Sequence, residues 1–321
     1  MPDLRLDPVT GRRVYVAEER AGRPHDYDEA AGEERVESPA ARREHCPFCA
    51  GHEHITPDAA AEALGPDGRW RVRVLPSRWP AVAATGPARG VHEVIVESPD
   101  HVAELGELSA EQFAAALAMH RDRLRACSQR SDLAAAIIFK NSGHRAGASL
   151  EHIHSQLIAF PEVPEQLAVE VAAAAAHRTA TGRCLLCDLV ERELAAGERF
   201  LCRHEGFVAL AAYAGRQPYE TWILPAEHAA DFAALDDAGC RAAAESLQRL
   251  VAALVRVSPG AAYNLILHTA PFASSGEPHF HWHWELIPRL AHFAGLELGT
   301  GVYVNPLAPE RAAEQLRAAL K

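Results

Sequence analysis

No stretch of this chain approaches the ~20 consecutive apolar residues of a transmembrane helix, which argues against a membrane partner. Positive charge is in short supply too. With 32 Lys and Arg against 43 Asp and Glu the formal net charge is −11, and a nucleic-acid-binding surface would need a basic stripe. A few local arginines must therefore serve any phosphate group. Cysteine is sparse, seven in 321 residues, too few for a disulfide scaffold. Four of the seven nevertheless form Cys-x-x-Cys pairs, which favours a reducing compartment with metal or redox chemistry. The opening "MPDLRLDPVTG" does not have the profile of a signal peptide, so a cytoplasmic location is expected.

What is present reads as soluble and globular: 48% hydrophobic, 23% charged, and long enough for two domains or one large one. Residues 1–24 predict strand-turn-strand, with Pro8 and Gly11 at the turn. The polar, aperiodic 25–45 reads as a mobile loop. "HEVIVESPDH" (92–101) predicts a strand closed by a Ser-Pro-Asp turn, and 109–127 a helix opened by a Ser109-x-x-Gln112 capping box. "AAAIIFKN" (134–141) is a further strand, and the Ala-rich 164–178 a connecting helix. In "ASLEHIHSQLIAF" (148–160) the alternation of His152, His154, Gln156 and Ile158 predicts a strand with three polar heads on one face and Ile153 and Leu157 on the other.

The second half repeats the first. "CPFC" (46–49) is answered by "CLLC" (184–187), "ESPDH" by "LPAEH", and "HIHSQLIA" (152–159) by "HWHWELIP" (281–288). The interval from His101 to His152 is 51 residues, and that from His228 to His281 is 53. A repeat of this length is too long for a solenoid unit and reads as duplication of one α+β unit about a pseudo-twofold axis. The halves are expected near 1–165 and 166–321.

Each half then offers Cys, Cys, His, His in one order: Cys46, Cys49, His101, His152, and Cys184, Cys187, His228, His281. A lone Cys-x-x-Cys can be a redox pair or two buried thiols. Recurrence of all four residues predicts two closed Cys₂His₂ shells holding zinc, structural because no position is left for water. His279 and His283 compete with His281 for the last place, and iron is the alternative in the second site. His154 is left over. An imidazole held rigidly beside a pinned neighbour, followed by the Gln156 amide, suits nucleophilic attack on phosphorus. Ser149 and the backbone around Gly147 lie where hydroxyl and amide donors can cradle a phosphate.

These motifs resemble, over nearly the whole length, the galactose-1-phosphate uridylyltransferase family of the histidine-triad superfamily. "DPVTGRRVYVAEERAGRP", "CPFC", "ESPDH" and "GASLEHIHSQ" follow in the family's order. The resemblance implies duplicated histidine-triad-like units with antiparallel or mixed sheets and flanking helices, and ping-pong nucleotidyl transfer through a covalent nucleotidyl-histidine at His154. It implies Gln156 as its partner, Ser149 as a phosphate contact, and Asn141 on the phosphate side. Arg20 and Arg23 match the paired-arginine signature and Glu297 the hexose-contacting glutamate. A homodimer acting on a nucleotide sugar and a sugar phosphate or inorganic phosphate is implied as well.

Departures bear on the substrate. "HIHSQ" replaces the usual His-Pro-His-Gly-Gln, Ser77 and Arg78 stand in "PSRWPAVA" where the family carries an Asn, and Leu296 precedes Glu297. "HSQ", the second Cys-x-x-Cys and "ELGTG" look more like the ADP-glucose phosphorylase branch. Hexose-1-phosphate uridylyl transfer is the leading expectation and adenylyl transfer to phosphate the alternative. A histidine-triad hydrolase and a catalytically silent nucleotide-binding protein are the remaining rivals. Cys127, Cys202 and Cys240 read as core thiols, Trp282 and Trp284 as packing residues, and His283 as structural or substrate-side, since Glu285 stands where a Gln would be needed.

Overall fold

The computed structural model describes residues 2–22, 43–274 and 276–321. Most of the expected loop at 25–45, and Arg23, lie outside the described residues.

Ten strands form one sheet. The first five are β3 (Ala61–Leu64), β4 (Trp70–Pro76), β5 (Val91–Val96), β6 (Ala135–Ser142) and β7 (His154–Phe160). The second five are β8 (Phe200–His204), β9 (Phe207–Ala211), β10 (Thr221–Pro225), β11 (Tyr263–His268) and β12 (His283–Pro288). The order across the sheet is β3-β4-β5-β7-β6-β11-β12-β10-β9-β8. Read inward from either edge, each group of five runs first, second, third, fifth, fourth. The two meet where β6 and β11 pair antiparallel, Asn141 opposite Asn264. The fold is thus an α+β duplication with a pseudo-twofold axis between those two strands. A smaller sheet joins β1 (Asp3–Leu6) and β2 (Arg13–Val16) to β13 (Tyr303–Asn305), so the first residues of the chain pair with nearly the last.

One face of the large sheet is closed by two corresponding helices that pack on each other, α1 (Ala110–Ser128) and α4 (Asp237–Val257). Phe113, Leu117, Leu124, Leu247 and Leu254 meet Ile138, Leu157, Leu265 and Trp284 there in one buried cluster. Ser109 caps α1 as expected, its hydroxyl accepting from the Gln112 N–H at 3.1 Å. The other half of the expected capping box differs. The Gln112 amide donates instead to the carbonyls of Arg71 (2.8 Å) and Glu97 (2.7 Å), satisfying two partly buried backbone acceptors. The connecting helix is α2 (Glu165–Thr181), and α3 (Leu185–Ala196) opens directly from Cys184.

The opposite face differs between the halves, and that difference places the site. Every residue of β9, β10 and β12 is buried, since Leu185, Leu186, Leu189 and Val190 pack on Val208, Leu210, Trp222 and Leu224. In β6 and β7 alternate residues stay half exposed: Ile137, Phe139 and Asn141, and Gln156 and Ile158. The first half, together with the adjoining β11, where Asn264 and Ile266 are half exposed, therefore keeps one sheet face partly open.

Candidate active site and metal centres

The alternation in 152–158 forms a strand, but it begins at His154; His152 and Ile153 lie just before it. The Ile153 N–H donates to Val102 and its carbonyl accepts from Glu97, which clamps the approach to β7 between β5 and the Ser-Pro-Asp-His turn. His152 is thereby brought to Cys46, Cys49 and His101. The Cys46 sulfur stands 3.4 Å from His152 Nδ1, and Cys49 stands 3.4 Å from His101 Nδ1 and 3.7 Å from His152 Nδ1. Tetrahedral zinc with bonds of ~2.3 Å to sulfur and ~2.0–2.1 Å to nitrogen separates such atoms by about 3.5 Å. The donor set fits. His152 Nε2–H donates to the Ser98 carbonyl at 2.9 Å, which fixes the tautomer and turns the Nδ1 lone pair to the sulfurs. Burial pushes this imidazole down to about 4, so it stays neutral as a ligand must.

The second cluster repeats the first. Cys187 lies 3.6 Å from His228 Nδ1 and 3.5 Å from His281 Nδ1, and Cys184 lies 4.0 Å from His281 Nδ1. Among the three competing histidines it is thus His281 that joins the cysteines. The second shell is the more open, with His228 exposed, and His281 Nε2 has no partner like Ser98.

His154 follows two residues after His152. Its Nδ1 stands 2.8 Å from the His152 carbonyl and donates to it, leaving the lone pair on Nε2. The Phe48 ring, between the two cysteines of the first shell, lies 5.4 Å from the imidazole. The side chain is buried, and burial lowers its pKa, which favours the neutral ring. Gln156, on the same face, holds its Oε1 2.9 Å from His92 Nε2.

A small cleft opens beside His154, lined by Asn141, Gly143, Ala148, Leu150 and Glu151 among others. Gly147 is left-handed (φ +89°), a conformation that favours glycine, and lets the 143–148 loop curl over Asn141. Asn264, from the second half, donates to Asn141 Oδ1 and to the Ala146 carbonyl, both at 2.8 Å. Ser149 is exposed on the rim. Arg20 is exposed in the short 3₁₀ segment Glu18–Gly22, and Glu297 caps its own helix, α5 (Gly295–Thr300), by accepting from the Ala294 N–H at 2.9 Å. No hydrogen bond joins either of them to the His154 strand among the described residues. Arg145 and His292, 2.5 Å apart, do tie the 143–148 loop to the segment preceding α5.

Sequence reasoning missed what lies under His154. Lys140 donates to the His154 carbonyl (3.0 Å) and to Glu97 (2.5 Å), Ser155 donates to the other Glu97 oxygen (2.5 Å), and His120 lies 3.4 Å from that same oxygen. Burial would raise Glu97, but Lys140 and His120 outweigh it and hold the carboxyl at about 2. The one available signal was a lone glutamate ending the apolar "VIVE". Replacing Lys140 with Met leaves Glu97 buried without its cation, and should cost about 3–5 kcal/mol in urea denaturation at neutral pH. Because the folded carboxyl is depressed, this stabilisation is complete above its ordinary value of 4.5 and disappears as the pH falls toward 2. A Lys140→Met variant within 1 kcal/mol of wild type would remove the pair from any account of the site.

The second half's counterpart of His154 is His283. It keeps the bond to the preceding carbonyl, 3.2 Å from His281 O, but stacks on His268 at 4.7 Å and lies buried behind α2. His268 stands 3.0 Å from Glu170 and 3.5 Å from Glu285, and Glu285 is held by Arg216. Burial opposes protonation of His268, yet the two carboxylates push it up to about 10. Glu170, His268 and His283 could also present three metal donors, within 4.8 Å of one another. As arranged they form a buried charge cluster.

A family model described as Domain of unknown function (DUF4921) matches residues 88–321. ADP-glucose phosphorylase of Arabidopsis thaliana is 30% identical over 98% of this chain and 92% of its own length. Galactose-1-phosphate uridylyltransferase of Thermotoga maritima is 29% identical over 99% of this chain and 98% of its own. The crystal structure of the Arabidopsis thaliana ADP-glucose phosphorylase with bound ADP-glucose superposes with a TM-score of 0.86 at 29% identity, covering 99% of this chain and 98% of that one. With a duplicated sheet, paired Cys₂His₂ clusters and a His-x-Gln strand on a half-exposed sheet face, the chain belongs to the galactose-1-phosphate uridylyltransferase family.

Proposed function

We propose that the protein transfers a nucleotidyl group between a nucleotide sugar and a sugar phosphate or inorganic phosphate, by a ping-pong reaction through a covalent nucleotidyl-His154. The observation that carries this reading is the pinned imidazole: with Nδ1–H on the His152 carbonyl, only Nε2 can attack. Its lone pair forms a bond to the α-phosphorus while the phosphorus–oxygen bond to the sugar phosphate breaks, and the leaving oxygen takes the electron pair. The Nδ1–H stays on its carbonyl and stabilises the cationic ring. A phosphate oxygen of the acceptor then attacks the same phosphorus and returns the imidazole to its neutral state. Two in-line displacements leave the configuration at phosphorus retained.

Gln156 and Ser149 donate to the non-bridging oxygens in this reading, with the Gly147 backbone and Asn141 on the phosphate side. Arg20 and Arg23 neutralise phosphate charge, and Glu297 takes sugar hydroxyls. Zinc fits both Cys₂His₂ clusters as a structural ion; the metal stiffens the approach to His154 through His152 and takes no part in bond making. The division of the chain near 165 and 166 is supported by α2 starting at Glu165, directly after the first half's last strand. A homodimer in the cytoplasm completes the proposal; no helix among the described residues is long and apolar enough to cross a membrane.

Uridylyl transfer to a hexose 1-phosphate is the leading reading, as in the uridylyltransferases that match end to end. Adenylyl transfer to phosphate is favoured by a separate observation, the likeness to ADP-glucose phosphorylase along nearly the full chain. Intact mass spectrometry after incubation with UDP-glucose and ADP-glucose separately decides between them, because the adduct mass names the nucleotide. Acceptor-independent release of free nucleotide would mark a hydrolase, and absence of label from both sugars would sink nucleotidyl transfer.

A further inference from the structure

We propose that His92 is a positioning residue that locks the Gln156 amide with its NH₂ group free for the substrate, and that it couples this amide to the loop at 77–90. The inference rests on the nucleotidyl-transfer reading of the site and adds to it a residue that no motif marks.

The placement follows from the sheet. In the antiparallel β5–β7 pair Val94 faces Gln156 directly, so His92 is the diagonal neighbour of Gln156 on the same open face. An amide cannot be oriented from its shape alone, because oxygen and nitrogen are interchangeable until the surrounding donors and acceptors are counted. Here the count is decisive. The Ala81 N–H, a backbone group that can only donate, points at His92 Nδ1 from 3.0 Å. That nitrogen must carry a lone pair, so the proton of the neutral ring sits on Nε2. His92 Nε2–H then donates to Gln156 across 2.9 Å, and the atom facing it must be Oε1. In the flipped amide two donors would confront each other. The Gln156 NH₂ has no partner among the described residues, so it is the end left to meet an anionic oxygen.

The same residue holds the loop. The Ser77 N–H donates to the His92 carbonyl at 2.9 Å, and Ala81 closes on its ring, so the segment 77–81 is fastened to both the backbone and the side chain of His92. This is the "SRWPA" stretch where the sequence departs from the uridylyltransferases. A change in how the loop sits is therefore transmitted, through one imidazole, to the hydrogen-bond donor beside the nucleophile.

A double-mutant cycle separates positioning from ordinary structural support. The rate to measure is formation of nucleotidyl-His154 in a single turnover, with whichever of UDP-glucose and ADP-glucose labels the wild-type protein. Gln156→Leu should slow it roughly a hundredfold, as loss of one donor to a developing oxyanion does. His92→Leu should slow it at least tenfold, and the double variant should be no slower than Gln156→Leu alone. His92→Gln, whose amide NH₂ takes the place of Nε2–H, should recover most of the rate. Multiplicative losses in the double variant, or a wild-type rate in His92→Leu, overturn the proposal. Long-range proton–nitrogen spectra of histidine-labelled protein add a readout that needs no substrate. The Nε2–H tautomer at His92 supports the lock, and an Nδ1–H tautomer overturns it. Should neither nucleotide sugar label the wild type, the nucleotidyl-transfer reading falls on its own, while the tautomer still decides the His92–Gln156 geometry.

Discussion

Replacing His154 with alanine is expected to abolish both the nucleotidyl adduct and turnover, with a loss on the order of 10⁴-fold or more, the scale on which enzymes lose rate when a covalent nucleophile is deleted. The size follows from the geometry. Among the described residues, His154 is the one imidazole on the open sheet face whose Nδ1 is committed to a carbonyl and whose Nε2 is left free beside a cleft. Its second-half counterpart cannot substitute, because His283 is stacked on His268 and buried. Metal content and the melting transition of the variant should stay at wild-type values, since Nδ1 of His152, not His154, faces the cysteines. Intact mass with a nucleotide sugar, metal analysis and thermal denaturation together check the assignment. Near-normal turnover would eliminate His154 as nucleophile. Loss of the metal with turnover would exchange its role with that of His152.

Stripping the metal should have the largest effect on stability. Structural zinc contributes on the order of 10 kcal/mol to small domains that depend on it, and here a large core shares the task. Freshly prepared reduced protein should hold up to two equivalents. A chelator should remove them in two steps, the second-half ion first, because His228 is exposed and His281 has no buried acceptor on its Nε2. Loss of the first-half ion should follow at higher chelator concentration, lower the melting temperature and slow adduct formation, since His152 no longer holds the start of β7. Cys46→Ser should reproduce that second step alone. Less than one equivalent in the starting protein would refute both shells, and iron in the second would revise only the ion.

Much of this was legible in residues alone, and the reason is repetition. One Cys-x-x-Cys is ambiguous, but the same four donors recurring in the same order, with nearly equal spacing between the two histidines, predict a shared geometry, and the folded chain brings each set within ligand distance. The strand carrying His154 and Gln156 was equally readable, because a period of two is written in the residue types. The two-residue error at its start, with His152 and Ile153 outside the strand, arises because alternation does not reveal where ladder hydrogen bonds begin.

What only the tertiary structure decided depends on contacts between segments far apart in the chain. Which half keeps an open face could not be seen in 152–160 or 281–288 separately. It is decided by α3 packing on β9 and β10, while alternate residues of β6 and β7 stay half exposed among the described residues. The choice of His281 over His279 and His283 needed the distances to Cys187. Glu97 and Lys140, 43 residues apart, carry no motif, and their pairing beneath His154 exists because β5, β7 and β6 are neighbours in the sheet. Short-range pattern records which side chains share a face. Long-range packing decides which of those faces is buried, which charges meet, and therefore which of two similar histidines is left free to react.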